Sequence, residues 1–190
     1  MTHNKTITRE FLRLHNACSS DDRIAESVPP EGLTIIEVLR RTDAPVEDRI
    51  WVATREGAVP TIVHQRWAIA TARRALGRVD SPDPRSIAAL DTAEAYLDGR
   101  CDRAALDAVA AYAAARSVAR STSYAARSTS YAAYAAYAAA DAVYAADAAW
   151  AAAAAARSAA WAADATEAAW AAKAERETQV TELITLLEAA

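Results

Sequence analysis

Residues 121–137 read Ser121-Thr122-Ser123-Tyr124-Ala125-Ala126-Arg127-Ser128-Thr129-Ser130-Tyr131-Ala132-Ala133-Tyr134-Ala135-Ala136-Tyr137, and the reading of this stretch decides the fold class. The unit at 121–126 recurs at 128–133, a step of seven residues. Around it, 39 of the 71 residues from Ala104 to Ala174 are alanine, and no Gly or Pro occurs after Gly99. Alanine is the best helix former, so the stretch is expected to be helical. Drawn as one rod at about 1.5 Å per residue it would be roughly 105 Å long, against a radius of gyration of about 16 Å for a compact chain of this size. It therefore folds back or protrudes. A period this short inside alanine reflects slippage and duplication rather than a solenoid of larger units.

The repeat places nearly every large side chain on one stripe: Arg116, Arg120, Tyr124, Arg127, Tyr131 and Tyr134 follow spacings of three and four, continued by Tyr137, Asp141 and Tyr144. The opposite face is almost pure alanine and lets a neighbouring helix approach closely. A second run, Asp147, Trp150, Arg157, Trp161 and Asp164, is shifted in phase, which predicts a bend or turn between Tyr144 and Trp150. Asp164 and Glu167 have the spacing of a capping box. Normal amphipathicity returns with Val180, Leu183, Ile184 and Leu187, and this last helix is expected to dock onto the first half.

Working outward, the chain divides near Gly99. Residues 1–99 read as a bundle of short helices, and residues 100–190 as an alanine-rich helical region that forms a hairpin or triple crossing and one folding unit with the first. Ile7, Phe11, Leu14 and Cys18 make the apolar stripe of a first helix that ends near Ser19–Asp22. A second helix fits Leu33 to Arg41 after the Pro29-Pro30-Glu31-Gly32 turn. A third starts at Pro45 with Asp43 as N-cap and stops at Gly57; a fourth runs from Pro60 to Gly77 and carries Ile62, Val63, Trp67, Ala70 and Leu76. Asp83-Pro84 opens a fifth, which Gly99 closes. Gly57, Gly77 and Gly99 would each sit just past a helix end, where a positive φ is cheapest.

With 190 residues, four Gly and six Pro, the composition excludes the sandwiches, barrels and phosphate loops that need turn residues at short intervals, leaving a single all-α domain. The formal charge of −4 gives no global basic footprint, so nucleic-acid binding is not expected. Two cysteines, Cys18 and Cys101, are too few for a disulfide framework. The start of the chain lacks a secretory pattern and the longest uncharged stretch is Ser128–Ala140, so a cytoplasmic protein with no membrane span is expected.

The chain carries no nucleotide-binding, zincin, thiol-redox or serine–lysine motif. His15 and Cys18 sit three apart and would supply half a metal site, completed by His3, His64 or Cys101; a small core cysteine beside an edge histidine is the plainer reading, and neither a metal nor a cofactor is expected. Adjacent carboxylates such as Asp21-Asp22 and Glu47-Asp48 point in different directions and make no acid/base couple. The Arg/Tyr stripe is read first as a packed helix face, and second as a surface for a protein partner or a nucleotide-like ligand.

Glu47-Asp48-Arg49-Ile50-Trp51-Val52-Ala53-Thr54-Arg55, the following Pro60 and the helix from Trp67 to Leu76 resemble the alanine- and tryptophan-rich family of bacteria and phages that is described as immunity proteins. Ala17-Cys18, Pro84-Arg85-Ser86-Ile87, Tyr96-Leu97-Asp98-Gly99 and the alanine tail follow the same order of parts, so the resemblance covers residue 7 to the end. Thr71-Ala72-Arg73-Arg74 departs from the Cys-Ala-Glu-Arg frequent in that family, and no role of that Cys or Glu carries over. The resemblance implies a non-enzymatic binding protein of the immunity or anti-defence type that occupies a toxin or defence protein. A nucleotide-sequestering sponge and a structural or virion component are the rival readings, and a protruding rod would self-associate. Within the family-like segment, Asp48, Arg49, Trp51 and Trp67 are expected to be structural. Trp51 should be substantially buried and Asp48 should pair with Arg73 or Arg74.

Overall fold

A computed structural model of the chain describes residues 5–17, 21–78, 82, 84–106 and 169–190. The Arg/Tyr stripe from Arg116 to Tyr144, the Trp150/Trp161 run, the hairpin or triple crossing and the positions Cys18 and Asp83 lie outside the described residues.

The described residues form a mostly helical fold with one small sheet. In chain order the elements are strand β1 (Thr6–Ile7), helices α1 (Arg9–Leu14) and α2 (Asp21–Ser27), strand β2 (Leu33–Thr34), and helices α3 (Ile35–Arg40), α4 (Val46–Ala53), α5 (Thr61–Leu76), α6 (Pro84–Leu97) and α7 (Ala169–Ala189). The strands pair antiparallel, with Thr6 opposite Thr34 and Ile7 opposite Leu33. The sheet corrects two expected boundaries. Thr8 caps α1 by accepting the Phe11 N–H at 3.1 Å, so the helix starts at Arg9 and Ile7 is a fully buried strand residue instead of the first rung of a helical stripe. The face rotates accordingly: Leu12 is buried and Leu14 is 75% exposed.

Likewise the second expected helix begins at Ile35, because Thr34 and Glu37 form a reciprocal capping box, the Glu37 N–H donating to Thr34 Oγ1 and the Thr34 N–H to Glu37 Oε2. Those bonds hold the Glu37 carboxyl below its ordinary pKa, the backbone N–H being the largest cause. Helix α2 was not anticipated, since its seven residues contain only Ile24 and Ala25 as apolar signal. Its C-terminal carbonyls are capped from outside by Arg9, which donates to Val28 O at 2.6 Å and Ala25 O at 2.8 Å.

The Pro29–Gly32 turn forms as expected, the Gly32 N–H donating to Pro29 O. Gly32 has φ +83°, and a Cβ there would stand 2.5 Å from Thr6 Cγ2 and 2.9 Å from the Ile7 carbonyl oxygen. Gly32→Ala should therefore cost about 1–3 kcal/mol, combining left-handed strain with a clash against strand backbone that cannot retreat without breaking the sheet. An unchanged midpoint in urea would show that the β1–β2 turn is not held in this form.

Helix α4 starts at the expected place but without the expected cap. Pro45 is the capping residue and supplies no side-chain bond, while Asp43 is bound by Arg41 and so is not available to the helix. The helix ends at Ala53, four residues before Gly57. Helix α5 runs between Pro60 and Gly77 as the punctuation predicts, although Gly77 has φ −64° and needs no glycine-specific conformation. Ile62, expected on its apolar face, is 43% exposed. Helix α6 ends in a Schellman motif, with Gly99 at φ +70° and N–H bonds from Arg100 to Ala95 O and from Gly99 to Tyr96 O.

The core lies where α7 returns onto the first half. Helix α7 packs against α3, α4 and α5, while α6 packs on α5. Its buried residues Glu175, Gln179, Leu183 and Leu187 repeat every four positions, with Val180 beside them. Trp67, Leu39, Ile35 and the buried alanines Ala68, Ala72 and Ala75 form the facing surface. Trp67 is wholly buried and its indole N–H donates to the Gln179 carbonyl at 2.9 Å, so the largest core side chain also meets its one polar need. A helix from beyond residue 100 thus shares a core with the short helices before it.

Candidate functional site

The family-like segment lies on α4, at the centre of the polar architecture. Arg49 is 6% exposed and crosses between helices: Nη1 donates to the Leu39 carbonyl at the end of α3 at 3.0 Å, and Nη2 reaches both Glu177 oxygens on α7 at 2.7 and 2.9 Å. Its Nε–H, also buried, has no acceptor. Asp48 is exposed and pairs with neither expected arginine. Arg73 is held by Asp91 and Glu94 of α6, and Arg74 by Glu175 and Glu182 of α7. The reason is geometric: both arginines lie on α5, whose near neighbours are α6 and α7.

Trp51, three residues from Asp48, is partly buried against the core. The Arg55 guanidinium stacks over its ring at 4.6 Å, and Arg55 Nε donates to the Trp51 carbonyl at 3.1 Å. Such a stack contributes about 0.5–1 kcal/mol at an exposed site and fixes the ring orientation.

Beside Trp51 opens a groove of about 260 Å3 between β1, α1, α2 and the α3–α4 connection. Its floor is apolar, with Ile7, Leu12, Ile24, Val28, Val38 and Val52. Its polar lining is Arg23, Ser27, Arg41, Asp43, Asp48 and Arg49. Arg41 grips both oxygens of Asp43 and the Ser27 carbonyl, tying α2 to the loop before α4. The Arg41 hydrogen bond draws the Asp43 carboxyl down to a pKa of about 2. The sequence marks Asp48, Arg49 and Trp51 but not the groove, because Ile7, Ile24 and Val52 come from three separate elements whose mutual placement no local pattern encodes.

A second polar cluster joins α5 to α7. Glu175 is 1% exposed and receives Arg74 Nε at 3.2 Å, Arg78 Nη2 at 2.5 Å and Gln179 Nε2 at 3.1 Å. The carboxylate is thereby surrounded by donors, as a buried charge requires. His64 is likewise buried, with Nε2 against the Ala53 carbonyl at 2.7 Å, where it joins α5 to the end of α4. Burial pushes its pKa below the ordinary value, more than the backbone bond raises it.

Of the alternative metal set, His3 and Cys18 lie outside the described residues. His15 stacks on Phe11 with ring centroids 4.4 Å apart, Cys101 donates to the Thr92 carbonyl, and among the described residues no group of three or more metal-ligating side chains is assembled. No helix among them is long and apolar enough to cross a membrane. Comparison with protein-family models, curated proteins and solved structures yields no match to this chain. The immunity-family resemblance therefore rests on the quoted residues alone.

Proposed function

We propose that this chain acts by binding, without catalysis, and that it neutralises a toxin or defence protein in the cytoplasm by occupying it. The observation that carries this reading is the Trp51–Arg55 stack, a pre-oriented aromatic with a guanidinium lid at the rim of an apolar groove. Tryptophan and arginine dominate the binding energy of protein interfaces, and a ring already held in place loses little freedom on association. The resemblance of residues 47–55 to the immunity family points to the same segment.

The test is co-expression. Genes beside this one are expressed singly in the host, and any that arrests growth is paired with this chain. Relief of the arrest, together with a purified complex, supports the reading. Trp51→Ala should then weaken the complex at least about 30-fold, the equivalent of a hot-spot loss of about 2 kcal/mol. Because Trp51 is only partly buried, the same change should lower stability by no more than about 1–2 kcal/mol. A variant that binds like the parent would remove α4 from the interface. A melting temperature raised by cyclic or ADP-ribose-type nucleotides, with no toxic neighbour, would instead favour the nucleotide sponge and the arginines Arg116, Arg120 and Arg127. A neighbourhood of virion genes would favour the structural role.

A further inference from the structure

We infer that Arg49 is a conformational relay: through it the docking of α7 holds α4 in place, so that release of α7 loosens α4 and the Trp51–Arg55 stack with it. What this means for binding rests on the partner reading above; the coupling itself does not.

Helix α4 has eight residues and no side-chain cap at its start, so it is too short to be stable alone in water. Its helicity depends on its neighbours, chiefly α7 and α3. Two ion pairs of opposite polarity join it to α7. Arg49 Nη2 reaches both oxygens of Glu177, and Arg176 Nη1 stands 3.4 Å from Glu47 Oε1. Each helix contributes one cation and one anion, and the crossed alignment would set Arg176 against Arg49 and Glu177 against Glu47. The seam thus favours a single register of α7 on α4.

The pair through Arg49 carries the coupling, because the Arg49 side chain is 7% exposed whereas that of Glu47 is 56% exposed. Its guanidinium has the two Glu177 oxygens and the Leu39 carbonyl to offset its burial, and Nε–H has no acceptor. Without Glu177 it would keep its charge in the interior with one neutral carbonyl for a partner, and a buried charge stripped of its counter-ion is strongly unfavourable. It regains water only by leaving its place between α3 and α7, which displaces α4. The last turn of α4 leads into the stack, where Arg55 Nε donates to the Trp51 carbonyl and the guanidinium covers the ring. By reciprocity, whatever binds the formed stack also tightens the docking of α7. Arg40–Glu188 offers a contrast: it ties α7 to α3, both side chains are well exposed, and neither bonds to α4 among the described residues.

Hydrogen–deuterium exchange of the full chain, read by mass spectrometry on peptides from α4, α6 and α7, tests the relay. It needs no partner, so a failed relay and a failed partner reading are separate results. Glu177→Ala should speed exchange of the α4 and α7 amides together, by about tenfold or more, and leave α6 unchanged. Glu188→Ala, the control, should speed only the last turn of α7. Adding Arg49→Met to Glu177→Ala removes the stranded charge and should return α4 to within about threefold of the parent. Should Glu177→Ala not fold, the double variant should still fold, and Glu177→Gln should raise α4 and α7 together by about two- to fivefold. Exchange that rises in α7 alone, that rises equally in α6, or that Arg49→Met leaves uncorrected would each overturn the coupling.

Discussion

Trp67→Ala is expected to destabilise the protein by about 3–5 kcal/mol, the usual loss when a core aromatic is truncated. For a chain of this length that is a fall in melting temperature of about 6–20 °C. The ring is fully enclosed between α5 and α7, and its N–H is satisfied by the Gln179 carbonyl. Its removal opens a cavity at the seam where the two halves of the chain meet. Trp67→Phe keeps most of the apolar volume and loses the hydrogen bond, so it should cost about 1–2 kcal/mol. Thermal unfolding by circular dichroism separates the two. A Trp67→Ala variant within about 3 °C of the parent would mean that α7 does not close over this ring.

The second large effect is expected at Glu175. Glu175→Ala removes a carboxylate that three donors share and leaves Arg74, Arg78 and the Gln179 amide facing each other across the seam. Breaking a buried ion pair from one side costs about 3–5 kcal/mol, and because both arginines are about a quarter exposed and regain some hydration, about 2–4 kcal/mol is expected here. Urea unfolding should show a lower midpoint at an unchanged slope, the sign that stability and not compactness has changed. Removing Arg78 as well should cost less than the sum of the single changes, since each loss exposes the same missing contact. Strict additivity would show that the two groups do not interact.

These two residues also mark where the sequence was readable and where it was not. Pro60 and Gly77 bracket α5, and Pro84 and Gly99 bracket α6, because proline and glycine act through local dihedral preferences that need no tertiary partner. The amphipathic pattern of Val180, Leu183 and Leu187 likewise announced a helix that docks. What escaped notice depends on distant chain. The spacing of Ile7 and Phe11 suggests a helix, yet the Ile7 backbone is claimed by Leu33 across a sheet two residues wide. Glu175 and Gln179 look like solvent-facing residues in sequence, and only Arg74 of α5 and Arg78 just past its end, about a hundred positions earlier, make their burial tolerable. At the site, charge alone suggests Arg73 or Arg74 as a partner for Asp48, but both are held by carboxylates of α6 and α7. Arg49, beside Asp48, is the residue that bridges three helices.

The return of α7 has a consequence for synthesis. Trp67 waits for a carbonyl 112 positions further on, and Arg40 for a glutamate 148 positions further on. At about 5–20 residues per second, α3, α4 and α5 leave the ribosome several seconds before the helix that covers them. During that interval their apolar faces are open to water, chaperones and other nascent chains. The chain is thus most exposed to misassembly while its alanine-rich stretch is being translated, and it completes its core only once residues 175–187 have emerged.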